Sequence, residues 1–196
     1  MAVNRGWGRQ FDPDRLALLE LRAWKAYYRR QPGRLFALLL LVNREQAQAS
    51  WPRALLAAFF LARAAAGFGR AVGDYDRFVP DIVRGYRTLG LPDDVEADEV
   101  ARREVRWWVV RREIGLAAGE EAGRAISTLY ASLYGLSEAA VAEAGRLRGQ
   151  AAEVRDRGAS KDPDGPAGPG RDYWPEVARL LRASYRSLKR AVAAQS

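Results

Sequence analysis

Residues 93–114 read DDVEADEVARREVRWWVVRREI, and this stretch does most to decide the fold. At 100° per residue its apolar side chains point almost all round a helix. They are Val100, Val105, Trp107, Trp108, Val109, Val110 and Ile114. A helix that is apolar on all sides usually lies at the centre of a fold. We therefore predict a central helix over 93–114 that begins at Asp93 and Asp94.

Two charged residues fall on the most apolar arc of this helix. Glu104 projects between Val100 and Trp108, and Arg111 follows it after two turns, close to the same line. A buried charge costs several kcal/mol unless it is paired. We expect Glu104 and Arg111 to pair with each other, with other helices or with a ligand. The first two cases give a structural ion pair, and the third gives a polar pocket walled by Trp107 and Trp108.

Helix start and stop signals continue on both sides of this stretch. Asp12-Pro13 and Ser50-Trp51-Pro52 are start signals, and Gly90 is a stop signal. Residues 158–171 are rich in glycine and proline and predict a flexible loop. No segment alternates apolar and polar residues as a strand does.

The prediction is an all-α single domain over 1–196, a compact bundle or orthogonal array of about eight helices. We expect them at 13–30, 35 onward, 51–71, 79–89, 93–114, 120–134, 138–157 and 173–192.

The composition removes several kinds of chemistry. The 196 residues include no cysteine and no histidine. Thiol catalysis, disulfides and the commonest general base and metal ligand are therefore excluded. The longest apolar run, residues 35–42, is far shorter than the roughly 20 residues that span a bilayer. The N-terminus shows no secretory signal, so we expect a cytoplasmic protein.

The net charge of +8 is concentrated near the N-terminus. Residues 1–70 hold 12 Lys and Arg against 4 Asp and Glu, whereas the other residues hold 20 of each. On the first helix, one arc carries Arg15, Arg22, Lys25 and Arg29. This basic stripe predicts either a nucleic-acid contact or a solvated helix face whose aromatic rings lie in the core. The excess of arginine over lysine is also what a GC-rich bacterial genome produces.

The acidic run over 93–99 resembles the Asp-rich motif that holds Mg²⁺ and a diphosphate in class I isoprenoid enzymes. The resemblance implies Asp94 and Asp98 as metal ligands, with Mg²⁺ as the cofactor. Carboxylates in a first helical turn are also favoured by the helix dipole without any metal. Both interpretations stay open from the sequence.

The leading functional prediction is a non-enzymatic interaction or scaffold protein that binds itself or a protein partner. It is based on the missing catalytic residue types and on six tryptophans and eight tyrosines, which are residues enriched at interfaces. One alternative is a small-molecule or diphosphate-binding enzyme that uses Glu104, Arg111, Trp107 and Trp108. A second alternative is nucleic-acid binding through the basic stripe.

Overall fold

The computed structural model describes Gly8 and residues 10–115, 119–161 and 172–194. These residues form helices and connections without a strand, which confirms the all-α prediction. The helices are α1 (Pro13–Tyr28), α2 (Pro32–Ala47), α3 (Trp51–Arg70), α4 (Val79–Leu89), α5 (Ala97–Ile114), α6 (Gly119–Tyr134), α7 (Glu138–Lys161) and α8 (Trp174–Ala193), with a 3₁₀ helix at Tyr75–Phe78 before α4. In this part of the chain, no helix has the length and apolar character needed to cross a membrane.

The eight helices make a closed ring of contacts. Each helix packs against the next in chain order, and α8 returns to pack against α1. Long side chains also join helices that are not consecutive in this ring. Arg111 of α5 bonds Asp156 of α7, and its guanidinium lies 5.2 Å from the Trp24 ring in α1. The core therefore lies inside the ring and is filled by side chains from several helices.

Two predicted helix-end signals, the cap at Asp12 and the stop at Gly90, lie at helix ends in the structure. The Asp12 carboxylate accepts hydrogen bonds from the backbone nitrogens of Asp14 and Arg15 at 2.9 and 3.2 Å, and Pro13 is the first helical residue. At the end of α4, Gly90 has a φ of 79°, a conformation that other residues adopt only at a cost. The predicted bounds of α4 are confirmed.

Three predicted boundaries are wrong by three residues or more. Helix α2 begins at Pro32 and not at residue 35, so Pro32 is its first residue and does not lie in a break before it. The central helix begins at Ala97, because the backbone nitrogen of Val95 bonds the carbonyl oxygen of Pro92 and closes a turn before it. Helix α7 continues to Lys161, so the predicted loop does not begin at Gly158. Tyr173 packs directly against Gly158, and such a contact can offset the roughly 1 kcal/mol that a glycine costs inside a helix. The rest of the predicted loop, 162–171, lies outside the described residues.

Helix α5 lies in the core as predicted. Val100, Val105, Trp107 and Val110 are all buried, while Ile114 at its end is exposed. The long side chains of this helix reach α4, α6 and α7. The buried side of α5 follows from these apolar residues, whereas Asp98, Arg102 and Arg106 leave its other side exposed, so the helix is not enclosed all round.

Helices α6 and α7 approach each other at glycines. A Cβ atom at Gly149 would lie 2.6 Å from the backbone nitrogen of Gly123 and closer still to the carbonyl oxygen of Gly119. Real Cβ atoms do not come this near to backbone atoms, and the backbone cannot move aside as a flexible side chain can. Glycine at 149 is therefore required for the observed distance between α6 and α7.

We predict that Gly149→Ala lowers the free energy of unfolding by about 1–3 kcal/mol, since the added methyl group forces α6 and α7 apart. Gly33→Ala is the matched control, because no atom lies within 4 Å of a Cβ at this helical position. The control should leave stability unchanged or raise it by roughly 0.5–1 kcal/mol. Urea denaturation followed by circular dichroism measures both variants. Equal stabilities of the two variants would contradict the close approach.

Candidate functional site

Glu104 lies on α5 and accepts hydrogen bonds from three side chains. The Tyr86 hydroxyl of α4 donates to Oε2 over 3.0 Å. The indole nitrogens of Trp107 and Trp108 donate to Oε1 over 3.2 and 3.1 Å. Burial raises the pKa of Glu104, although nearby Arg148 and the three donors oppose the shift. Three of the four residues predicted to line a pocket are therefore in direct contact.

Arg111, the fourth predicted pocket residue, pairs with a different carboxylate. Its Nε and Nη2 donate to the two oxygens of Asp156 over 3.1 and 2.8 Å. Arg155 donates to the same carboxylate over 2.9 Å and stacks on the Tyr28 ring. Burial lowers the pKa of Arg111, but the charges and hydrogen bond around it outweigh burial and leave the pKa raised. Arg111 is thus held as a charged group between α5 and α7.

A second buried ion pair was not predicted from the sequence. Glu20 of α1 is 5% exposed and accepts a hydrogen bond from Arg148 of α7. The Trp24 indole donates to Glu20 over 3.1 Å, and the Tyr185 hydroxyl of α8 also donates to it. Arg148 donates to the Tyr130 hydroxyl of α6 over 3.1 Å. Glu20 projects onto the same arc as Leu16, Leu19 and Trp24, so its position on an apolar face was the signal available.

These groups form one continuous set of contacts, which we call the central network. Arg148 joins its two halves, because this guanidinium pairs with Glu20 and lies 5.2 Å from the Trp107 ring. Burial lowers the pKa of Arg148, but the Glu20 charge outweighs it and the pKa is raised well above its usual value. The network runs in order through Asp156, Arg111, Trp24, Glu20, Arg148, Trp107, Glu104 and Tyr86.

Two cavities open on the described surface, and neither touches the central network. One of about 260 Å³ lies between α5 and α6, and one of about 410 Å³ lies between α4 and α5. Arg103, Arg106 and Arg124 line the first, beside Glu121, while the second mixes arginines with Asp76 and Asp98. The central network is therefore filled by its own side chains and braces the helices. Its use as a ligand pocket stays a prediction.

The predicted basic stripe lies mostly at the surface. Arg15, Arg22 and Arg29 are exposed, and the Lys25 ammonium lies 5.1 Å from the Trp174 ring. Arg15 also pairs with Glu45 of α2 over 3.1 Å. The expectation that the rings of α1 are all in the core is wrong, because Tyr27 is 41% exposed. Exposure makes a nucleic-acid contact possible in principle, and that function stays a prediction.

The acidic run does not gather in the described structure. Asp98 is 52% exposed and pairs with Arg87 and Arg102 at 3.5 and 3.9 Å. Asp94 is exposed in the turn before α5. Among the described residues, no group of three or more carboxylates lies close enough to hold a metal ion.

Among the described residues, four of the eight exposed large apolar side chains lie on α3, and this helix was not singled out from the sequence. Its exposed side carries Trp51, Leu55, Leu56 and Phe59, each about half exposed, and we call these four residues the α3 face. The Arg44 guanidinium lies 4.1 Å from the Trp51 ring, and Arg63 lies 5.7 Å from the Phe59 ring. The signal in the sequence was that apolar residues of 51–70 fall on both sides of one helix.

Comparison with family models, curated proteins and solved structures finds no match. The fold and the site define the class of protein: an all-α ring of helices with a buried ionic and aromatic network and one apolar surface face.

We predict that Glu104→Ala destabilises the protein more than Glu99→Ala. Removing Glu104 leaves three partly buried donors without their acceptor, which should cost about 3 kcal/mol of unfolding free energy. Glu99 is 54% exposed and pairs with Arg103 one turn away on the same helix, so its loss should cost less than about 0.5 kcal/mol. Thermal melting of both variants tests this. Equal melting temperatures of the two variants would contradict the placement of Glu104 in the central network.

Glu104 should also make stability depend on pH. Its pKa is raised above the usual 4.5, so its contribution to stability is present below pH 4.5 and is lost as pH rises through the folded-state pKa. Glu104→Gln keeps an oxygen acceptor for the indoles but cannot ionise. We expect this variant to gain stability relative to the wild type between pH 4 and pH 8 in denaturant titrations. Glu99→Gln is the control. If the difference in unfolding free energy between Glu104→Gln and the wild type does not change with pH, the raised pKa of Glu104 is contradicted.

Proposed function

We propose that the chain is a non-enzymatic interaction protein that binds a second copy of itself through the α3 face and serves as a helical scaffold. The observation that supports this is the exposure of the α3 face itself. Trp51, Leu55, Leu56 and Phe59 are 55%, 50%, 49% and 51% exposed on one helix. Contiguous apolar patches of this kind on a protein surface mark interaction sites.

The opposite side of α3 already has a structural use. Ala54, Ala57, Ala58 and Ala64 are fully buried, where α3 packs against its neighbours α2 and α4. Burial of that side is enough to hold α3 in the ring. The exposed side is therefore in excess of what folding needs, and the expected reason for keeping four large apolar residues there is a partner.

The charges around the α3 face favour a second copy over an anionic partner. The middle of α3, from Ala54 to Ala62, contains no charged residue, so two such faces can meet without repulsion. The arginines lie beyond it, and Arg63 is already neutralised by Asp81. A nucleic acid or an anionic membrane would instead need cations along the middle of the contact.

The interior supports a non-enzymatic role. The carboxylates and guanidinium groups of the central network bond one another, and the two described cavities lie elsewhere. Catalytic groups normally line a cleft, where a substrate reaches them. A cytoplasmic location is part of the proposal and agrees with the absence of cysteine, because a cytosolic protein gains no disulfides.

The area of the α3 face sets the affinity that we expect for the dimer. The half-exposed Trp51 and Phe59 contribute about 100 Å² each, so with the smaller Leu55 and Leu56 each copy buries somewhat less than about 400 Å². A standard interface buries about 800 Å² on each side. We expect a dimer with a dissociation constant on the order of 10 µM, which is weak enough to exchange.

We predict that the double substitution Leu55→Ser and Phe59→Ser raises the dissociation constant at least tenfold in sedimentation velocity. The melting temperature should change little, because the two side chains contribute little to the fold. Leu18→Ser is the matched control, since Leu18 is 45% exposed on α1 and lies outside the α3 face. Higher salt should strengthen the dimer by screening the arginines, whereas nucleic-acid binding would weaken with salt. A wild-type protein that stays monomeric at 100 µM would refute the proposal.

A further inference from the structure

We infer that the two copies pair their α3 helices antiparallel, with the large residues of one copy lying on the small residues of the other. The inference rests on the proposed self-association and adds its geometry. It follows from an uneven distribution of side-chain size along the exposed side of α3.

The first half of this exposed side carries large residues and the second half carries small ones. Trp51, Leu55 and Phe59 recur every four residues in the first half. At 100° per residue, Ala62, Ala66 and Gly69 continue the same arc in the second half. Ala66 and Gly69 are exposed, and Ala62 is half-buried. One copy of α3 therefore offers a ridge followed by a shallow groove at Ala62 and Ala66, and the Tyr27 hydroxyl of α1 lies close to Gly69 at the far end.

An antiparallel pair places each ridge in the groove of the other copy. With the twofold axis near the middle of α3, Phe59 faces Ala62 of the second copy and Leu55 faces Ala66 of the second copy. Each contact occurs twice, as twofold symmetry requires. A parallel pair would instead set Phe59 against Phe59 and leave facing gaps at Ala66. Close packing of large against small side chains therefore selects the antiparallel pair.

The ends of the pair bring charges together. Antiparallel pairing places the exposed Arg70 beside Trp51 of the second copy, where the Arg44 guanidinium already lies 4.1 Å from the ring. Two arginines then share each end of the dimer. Arg70→Glu replaces this repulsion by an attraction between Glu and Arg44. In a parallel pair, position 70 meets itself, and the same substitution exchanges one repulsion for another.

Single nitroxide labels test the arrangement, and the chain has no native cysteine to interfere. Ala62→Cys lies near the proposed twofold axis, and Arg70→Cys lies at the end of α3. In an antiparallel dimer the two labels at position 62 should broaden each other's spectra by dipolar coupling. The labels at position 70 should be separated by roughly 28 Å along the helix axis, which is too far for this broadening. Ala139→Cys, exposed on α7, is the control without broadening.

Each outcome decides a different question. We expect spectral broadening at position 62 alone. We also expect Arg70→Glu to form a severalfold tighter dimer in sedimentation velocity. Arg106→Glu makes the same change in net charge on α5 and should not tighten the dimer in this way. Broadening at both positions would indicate a parallel pair and overturn the inference, as would a dimer that shows broadening at neither. A protein that does not dimerise would overturn the proposed function itself.

Discussion

The ion pair between Glu20 and Arg148 is the interaction on which the interior depends. Helices α1 and α7 lie on either side of α8 in the ring of contacts, and this pair joins them while Tyr185 and Tyr130 tie it to α8 and α6. Removing either charge would leave the other buried and unpaired, which costs several kcal/mol. Keeping both costs desolvation, which the surrounding hydrogen bonds offset in part, since the buried Nε of Arg148 has no partner among the described residues. The helices therefore pack around two charged groups that are paired only when α1 and α7 hold these positions.

The same geometry explains why arginine and tryptophan side chains join helices that are not consecutive in the ring. Where backbones across the ring do not approach closely, small aliphatic residues cannot meet, and long or flat side chains are needed to fill the space. Arg148 reaches the Trp107 ring at 5.2 Å, and Arg111 reaches the Trp24 ring at the same distance. Each guanidinium carries a charge that stacks on a ring and still pairs with a carboxylate. Aromatic and ionic contacts here form one system that fixes the positions of α1, α5 and α7.

Much of the fold could be predicted because its signals are local. The proline and glycine start and stop signals predicted the observed bounds of α4, and the apolar residues of α5 indicated a central helix. The candidate site was harder to predict, because a partner across the fold is not local information. The sequence placed Glu104 on a buried arc but could not show that Tyr86 lies opposite, or that Asp156 takes Arg111. Glu20 was missed although its arc was apolar, since a single carboxylate on such an arc gives no sign of a distant arginine.

Helices α3 and α5 show why one pattern leads to two outcomes. Both are apolar on nearly all sides, and by that pattern alone both belong in the core. Helix α5 carries long polar side chains that bond helices around it, so other elements enclose it on most sides. Helix α3 buries mainly alanines, such as Ala57 and Ala64, and has no acidic residue through which other elements could be tied over its outer side. The ring closes without covering α3, and the uncovered side keeps the apolar character that the fold did not use. The proposed self-association uses this uncovered side.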